Sequence, residues 1–211
     1  PPMSAPADKA KPDPAKTEQR ALLPAGMFDL LPPQAEHEAA LGAGLLASFG
    51  RYGYQRVVPP LVEFETTLLA GQAGLGEQVF RLVDPVSQRM LALRADMTLQ
   101  VARIAATRLG DSPRPLRLSY AGEVLRVRAG QLRSARQFTQ VGVELIGSDA
   151  TQADAEVAAM AAAALAVRGV KGLALDLNSP LIVGATLAAL GIPRPAADEL
   201  RAALDHKDTA A

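Results

Sequence analysis

The sequence of 211 residues has no cysteine, no tryptophan and only two histidines. Without cysteine the chain forms neither disulfides nor thiolate metal sites, and it has no cysteine nucleophile. Two histidines are too few for a histidine-rich metal site. Aromatic residues make up 4% of the chain, which disfavours platforms on which single-stranded nucleic acid would stack. We therefore expect no metal site and no stacking surface for nucleic acid.

The chain also lacks a net charge and a long apolar run. Lysine and arginine total 22 and aspartate and glutamate total 22, so no overall basic field attracts nucleic acid. No stretch approaches the roughly 18 consecutive apolar residues of a membrane span. Residues 1–20 have no apolar core of the kind found in a secretory signal. These absences predict a cytoplasmic protein with neither a membrane nor a nucleic-acid partner.

The remaining composition divides the chain into a tail and a folded domain. Residues 1–20 hold five prolines and few large apolar side chains, a composition typical of a disordered tail. Beyond the tail, apolar spacing predicts helices at 33–50, from 96 onward, at 148–168 and at 182–190, and strands at 54–58, 79–83, 89–93, 116–127, 137–146 and 173–177. Because strands and helices do not alternate regularly, we expect an antiparallel sheet with packed helices, an α+β domain.

The predicted strand at 137–146 has two chemically different faces. Val141 and Val143 share a core face, whereas Gln140, Gly142 and Glu144 point the other way. Gly142 has no side chain, so we expect a gap between an amide and a carboxylate that suits a small polar cationic ligand. A sheet with one solvated face explains the same alternation.

Two further features each allow a functional and a purely structural interpretation. Residues 114–136 contain six arginines and one acid, Glu123, a local net charge of +5. Guanidinium groups bind phosphates and carboxylates, so this segment is either an anion-binding hairpin or an exposed hairpin with solubilising charges. Asp96 is either an ordinary helix N-cap or a ligand-binding carboxylate. The arginines that we assign to anion binding are Arg126, Arg128, Arg133 and Arg136.

The order of these segments resembles that of class II aminoacyl-tRNA synthetases, and of histidyl-tRNA synthetases in particular. Residues 53–63 resemble motif 1, the helix–strand of the dimer interface, and residues 125–144 resemble motif 2 of histidyl-tRNA synthetase. Residues 93–98 fall where that enzyme has Arg-Pro-Glu-Gly-Thr, and residues 23–32 look like its opening segment. The four segments stand in the same order and with compatible spacing as in the family.

The resemblance implies an α+β domain of the class II synthetase type, with an antiparallel sheet flanked by helices. We expect this domain to span residues 21–211 and to be incomplete at its C-terminus. The chain ends before motif 3 and before the segment in which the family carries its second histidine-binding residues, a pair of tyrosines.

One departure from the synthetase pattern decides between members of the family. Arg126 stands where a synthetase arginine holds the ATP α-phosphate, but Arg128 replaces the glutamate that reads the adenine amino group. A guanidinium has no acceptor for that amine, so we expect no adenylate formation. The Asp96-Met97-Thr98 sequence resembles instead that of the regulatory subunits of ATP phosphoribosyltransferase, synthetase paralogues that regulate histidine biosynthesis.

This second resemblance implies a non-catalytic protein that senses histidine and has no catalytic residues. Such a protein would form homodimers within a hetero-oligomer with the short-form catalytic subunit, and it would mediate feedback inhibition. Its effector would be histidine, and we expect no cofactor and no metal. The alternatives are an active histidyl-tRNA synthetase fragment that charges tRNA with histidine and a synthetase-like domain that binds no ligand.

The same resemblance implies a role for each candidate histidine-binding residue. Asp96 and Thr98 would bind the α-ammonium group through charge-assisted hydrogen bonds. Arg126, helped by Gln140, would hold the α-carboxylate, and Glu144 would accept the imidazole N–H.

Overall fold

The structure, a computed structural model, describes residues 23–70, 73–130, 134–177 and 179–206. These residues fall into two compact units that divide between Val170 and Lys171. The predicted tail at residues 1–20 and Arg133 of the predicted anion-binding hairpin lie outside the described residues.

The first unit contains helices on both faces of a sheet, together with a second small sheet. Its elements are α1 (Gln34–Gly50), β1 (Gln55–Arg56), β2 (Val62–Phe64), α2 (Glu65–Leu68), a 3₁₀ helix (Ala73–Gln78), β3 (Arg81–Val83), β4 (Met90–Leu93), α3 (Thr98–Thr107), β5 (Leu116–Leu125), β6 (Gln137–Ile146) and α4 (Thr151–Val167). The helices predicted at 33–50 and from 96 are confirmed to within two residues, the usual uncertainty of helix ends, and the helix predicted at 148–168 is confirmed with its start three residues later, at Thr151.

The main sheet has the order β1-β5-β6, with β1 parallel to β5 and β5 antiparallel to β6. Strands β5 and β6 pair without a bulge from Leu116 opposite Ile146 to Leu125 opposite Gln137. Strand β1 is shorter than predicted because Pro59 and Pro60 follow it closely, and proline has no N–H for a ladder.

Helices cover both faces of this hairpin. On one face, Val141, Val143 and Leu145 pack against Phe49 and Met160 of the helices α1 and α4, as the predicted core face requires. The opposite face packs against α3 and the residue before it, through a cluster of Met97, Val101, Ala105, Leu118, Tyr120 and Val124. The alternative of a sheet with one solvated face is therefore wrong, because α3 lies over the polar face.

The small sheet, β2-β4-β3, is antiparallel throughout. Strands β3 and β4 form the predicted hairpin, whose turn is held by the Asp84 carboxylate. That carboxylate accepts hydrogen bonds from the backbone N–H groups of Val86 and Ser87, an arrangement typical of aspartate in turns. A core of Leu68, Val79, Ala92 and Ala95 lies against this sheet. The chain leaves β4 at Leu93 and reaches the first site residues directly.

The second unit contains α5 (Pro180–Ala189) and α6 (Arg194–His206), joined at Gly191. Gly191 has a φ of +67°, the left-handed conformation that ends many helices, so the predicted helix end is confirmed. The strand predicted at 173–177 is wrong: among the described residues this segment pairs with no strand, and Leu177 is 81% exposed. Alternation of leucine predicts an extended segment, but a strand also requires a hydrogen-bonded neighbour. Within the described ranges no helix is long and apolar enough to cross a membrane.

Candidate functional site

The loop between β4 and α3 brings Asp96 against β6. One Asp96 carboxylate oxygen accepts the Thr98 backbone N–H at 2.7 Å, and the other accepts the Gln140 side-chain amide at 2.9 Å. The Gln140 carbonyl oxygen in turn accepts the Met97 N–H at 3.0 Å. Helix α3 begins at Thr98 with Met97 as its N-cap, so Asp96 stands one residue before the N-cap position. Its carboxylate nevertheless satisfies an N–H of the first turn.

The Gln140 side chain forms hydrogen bonds with Asp96 and Met97, and Arg126 contacts Ala95 in the same loop. The Arg126 Nε donates to the Ala95 carbonyl at 3.3 Å. The Arg126 guanidinium also lies 5.2 Å from the centre of the Phe138 ring, within the range of a cation–π contact. The half-buried Arg126, which follows β5, therefore brings a positive charge to the loop that carries the half-buried Asp96.

The expected gap over Gly142 is filled by Tyr120. The two residues face each other across the β5–β6 ladder, and a Cβ on Gly142 would lie 2.5 Å from the Tyr120 hydroxyl oxygen and 2.6 Å from Cζ. The expectation of a free space for a ligand at this point is wrong, because the side chain of the paired residue takes the volume that glycine leaves. Gly142 accommodates a tyrosine of the protein itself.

The Tyr120 hydroxyl connects the two remaining site residues. It donates to the Glu144 carboxylate at 3.2 Å and lies 3.3 Å from the Thr98 hydroxyl. Burial raises the pKa of Tyr120 to about 12, and the Glu144 and Asp96 charges act in the same direction against the hydrogen bond from Thr98. The phenol is therefore neutral throughout the physiological range. Asp96, Thr98, Glu144 and Gln140 belong to one continuous network.

Two arginines of the predicted anion-binding hairpin lie side by side, since the Arg136 Nε donates to the Arg126 carbonyl at 3.2 Å. Arg126 contacts the Asp96 loop and Arg128 is exposed. Arg136 also contacts two other segments, since its Nη1 donates to the Ala25 carbonyl near the N-terminus at 3.0 Å and its guanidinium lies 4.8 Å from the ring of Phe80, just before β3. Of these three, the exposed Arg128 is the most available to an anion in solution.

Arg94 is a buried arginine that the sequence interpretation passed over. It is 6% exposed, and its guanidinium donates to the carbonyls of Glu123 at 2.7 Å and of Pro59 at 2.9 Å. Burial lowers the pKa of Arg94. Its guanidinium lies over Gly122, the residue paired with Gln140. Arg94 thus joins the loop before β2, strand β5 and the loop that carries Asp96.

Sequence reasoning missed Tyr120 and Arg94, although a signal for Tyr120 was present. Each side chain covers a glycine of the β5–β6 hairpin, Gly142 or Gly122. Pairing the two predicted strands in register sets an aromatic residue opposite a glycine, and such a pair predicts a ring lying across the ladder.

The charges of the arrangement are complementary to those of a small zwitterion. It offers a carboxylate, a guanidinium and a second carboxylate, Glu144, held in place by a neutral phenol. No group of three or more potential metal ligands occurs among the residues that the structure describes.

A long antiparallel hairpin between helices, with a polar site at the start of α3, agrees with a class II aminoacyl-tRNA synthetase-like domain, the class to which the similar solved structures belong. A crystal structure of an ATP phosphoribosyltransferase regulatory subunit/histidyl-tRNA synthetase from Bacillus halodurans matches with a TM-score of 0.77 and 32% identity, over 98% of this chain and 50% of that chain. Apo histidyl-tRNA synthetase from S. aureus matches with a TM-score of 0.59 and 28% identity, over 72% of this chain and 35% of that chain. The predicted α+β class is confirmed.

The sequence model of the histidyl-tRNA synthetase family matches residues 26–211, and the chain therefore belongs to that family. It is 60% identical over 196 residues to an ATP phosphoribosyltransferase regulatory subunit from Paramagnetospirillum magneticum, an alignment that covers 92% of this chain and 52% of that protein. The resemblance to these regulatory subunits is confirmed. The chain spans about half the length of the curated relatives it matches.

Proposed function

We propose that this chain belongs to a regulatory subunit of ATP phosphoribosyltransferase in histidine biosynthesis. In this proposal the protein is not itself an enzyme. It is required with the short-form catalytic subunit for activity and mediates allosteric feedback inhibition by histidine. The observation that carries the proposal is the 60% identity to a protein named as such a subunit.

The geometry supports histidine as the effector. The Asp96 carboxylate, fixed by Thr98 and Gln140, is suited to an α-ammonium group, since a hydrogen bond between two charged groups is stronger than one between neutral groups. Arg126 donates a hydrogen bond to the carbonyl of Ala95, the residue before Asp96, and its guanidinium is suited to the α-carboxylate. The Glu144 carboxylate then supplies the acceptor for an imidazole N–H.

Gln140 has a different place in this proposal from the one the resemblance implies. Its amide bridges Asp96 and the Met97 N–H, so it orients the carboxylate that meets the ammonium group. We assign Arg126 to the α-carboxylate without help from Gln140.

The second candidate function is that of a histidyl-tRNA synthetase fragment, which the family match and the S. aureus structure favour. Arg128 speaks against it. Its guanidinium stands exposed at the position that resembles the adenine-reading glutamate, and it has only donors to offer an adenine amine.

The assembly is part of the proposal. We propose homodimers, built through residues 53–63 as the motif 1 resemblance implies, within a cytoplasmic hetero-oligomer with the short-form catalytic subunit. No nucleic-acid partner, cofactor or metal is proposed. The two-fold interface would be self-complementary, so that one substitution in it acts twice.

Two measurements test the function and separate it from its alternative. Gel filtration of the intact protein with a short-form catalytic subunit is expected to give a joint peak that neither protein gives alone. Histidine-dependent exchange of pyrophosphate into ATP is expected to be absent. Separate elution, or exchange above that of a mock preparation, would contradict the proposal, and exchange would favour the synthetase.

A further inference from the structure

Two hydroxyl groups and one carboxylate lie in a row across the site. The Thr98 hydroxyl, the Tyr120 hydroxyl and the Glu144 carboxylate are separated by 3.3 Å and 3.2 Å. Each hydroxyl carries one hydrogen, and an ionised carboxylate carries none. The number of hydrogens therefore decides the direction of both hydrogen bonds.

The direction follows from the carboxylate end. Glu144 can only accept, so the single hydrogen of Tyr120 points to Glu144. Tyr120 then has only lone pairs for Thr98, and the Thr98 hydrogen points to Tyr120. The lone pairs of the Thr98 oxygen are left for a donor outside the row. The causes of the raised pKa of Tyr120 agree with this order, since Thr98 acts as a donor and Glu144 as an acceptor.

The packing of the Tyr120 ring fixes this order in place. Tyr120 is 4% exposed and lies in a cluster with Met97 and Val101. The ring occupies the volume over Gly142, and a ring in a close-packed site has little freedom to turn its hydroxyl elsewhere. Thr98, in contrast, is exposed at the first residue of α3.

We propose that Tyr120 is a positioning residue that makes Thr98 an obligate hydrogen-bond acceptor and thereby selects ligands that carry an α-ammonium group. The inference rests on the proposed function, because it deepens the histidine site. Tyr120 acts through Thr98 on one side and through Glu144 on the other.

Removal of the Tyr120 hydroxyl distinguishes the action through Thr98 from the action through Glu144, because the two actions affect different ligands. In Tyr120→Phe the Thr98 hydroxyl is free to rotate and to turn its hydrogen toward an ammonium group. The freed rotation of the Thr98 hydroxyl weakens the binding of histidine. It does not weaken the binding of imidazolepropionate, which lacks the ammonium group. Any loss of order at Glu144 affects both ligands, because both carry the imidazole. The ratio of the two affinities therefore reports on Thr98 alone.

Tyr54 provides a matched control. It is also 4% exposed, its hydroxyl donates to the Glu156 carboxylate at 3.3 Å, and its pKa is likewise raised to about 12, mainly by burial. Tyr54 packs with the opposite face of the sheet, in the cluster of Phe49 and Met160. Tyr54→Phe thus removes an equivalent hydrogen bond away from the site.

The experiment is calorimetric titration of the intact protein with histidine and with imidazolepropionate, for the wild type and both variants. In Tyr120→Phe the preference for histidine is expected to fall about threefold, because Thr98 can still accept from the ammonium and only the fixed direction of its hydrogen is lost. In Tyr54→Phe it is expected to stay unchanged. An unchanged preference in Tyr120→Phe, or an equal fall in both variants, would overturn the inference while the proposed function stands.

Two further outcomes of the titration also have a defined consequence. If the wild type does not bind histidine, the proposed function fails and the inference fails with it. If Tyr120→Phe does not fold, as judged by circular dichroism, Thr98→Val replaces it, since Thr98 is exposed and valine keeps its shape. Thr98→Val is expected to lower the preference for histidine about tenfold, because it removes the acceptor altogether, and an unchanged preference would overturn the inference.

Discussion

The close approach of Tyr120 to Gly142 makes Gly142→Ala the most specific structural perturbation of the site. The added methyl group would lie 2.5 Å from the Tyr120 hydroxyl oxygen, 2.6 Å from Cζ and 3.0 Å from Cε2. Carbon atoms in proteins pack at about 3.5–4.0 Å, so the ring has to move by about 1 Å or more. Because Tyr120 is buried against Met97 and Val101, this movement disturbs the contacts between the hairpin and α3.

The expected loss of stability combines two effects. Overpacking a buried site typically costs about 1–3 kcal/mol, and each of the two displaced hydrogen bonds of Tyr120 contributes about 1 kcal/mol. Alanine in place of glycine restricts the unfolded chain and returns about 0.5–1 kcal/mol. We therefore expect the free energy of unfolding to fall by about 2–4 kcal/mol.

Denaturant unfolding of the intact protein measures this loss, with Gly50→Ala as the control. A Cβ on Gly50 meets nothing within 4 Å, and Gly50 is the last residue of α1, so Gly50→Ala is expected to be neutral or slightly stabilising. A Gly142→Ala variant that unfolds within about 0.5 kcal/mol of the wild type, the usual range for surface changes, would refute the close packing of Tyr120 on Gly142.

Three further predictions concern single side chains. Glu144→Gln is expected to weaken histidine binding in calorimetry by roughly tenfold to a hundredfold, because a charged acceptor is lost; equal affinities would place the effector elsewhere. Arg94→Leu is expected to lower the free energy of unfolding by about 3 kcal/mol, since buried carbonyls lose their donor, and an unchanged denaturation midpoint would contradict this role. The hydrogen bonds from Arg117 lower the pKa of Glu156, so its contribution to stability is present above the pKa of unfolded glutamate and lost as the pH falls through the lowered folded value. The difference in stability between the wild type and Glu156→Gln should therefore shrink on acidification, and a difference independent of pH would contradict the ion pair.

Much of the fold can be predicted from the local spacing of apolar residues, and the strand wrongly predicted at 173–177 has a physical explanation. Strands β5 and β6 and helix α1 are evident from the spacing of apolar residues, which sets the buried face of each element. The segment at 173–177 alternates in the same manner and is not a strand in the described structure. A strand depends on a neighbour that can be distant along the chain, and local pattern contains no information about that neighbour.

The sequence predicts only part of the site, because several of its contacts also depend on residues that are distant along the chain. The shared face of Gln140 and Glu144 follows from the two-residue period of a strand, and the structure places both in one network with Asp96. The role of Tyr120 depends on the register between two strands, which single-strand alternation does not reveal. The hydrogen bonds of Gln140 likewise depend on how the loop before α3 docks on β6.

The most direct test of the central claim is the rate of a short-form ATP phosphoribosyltransferase catalytic subunit, measured with the intact protein present and absent and over a range of histidine concentrations. The proposed function predicts that the rate rises when the protein is added and that histidine then lowers it. A rate that the protein leaves unchanged, or a stimulated rate that histidine does not lower, would contradict the assignment of this chain to a histidine-sensing regulatory subunit.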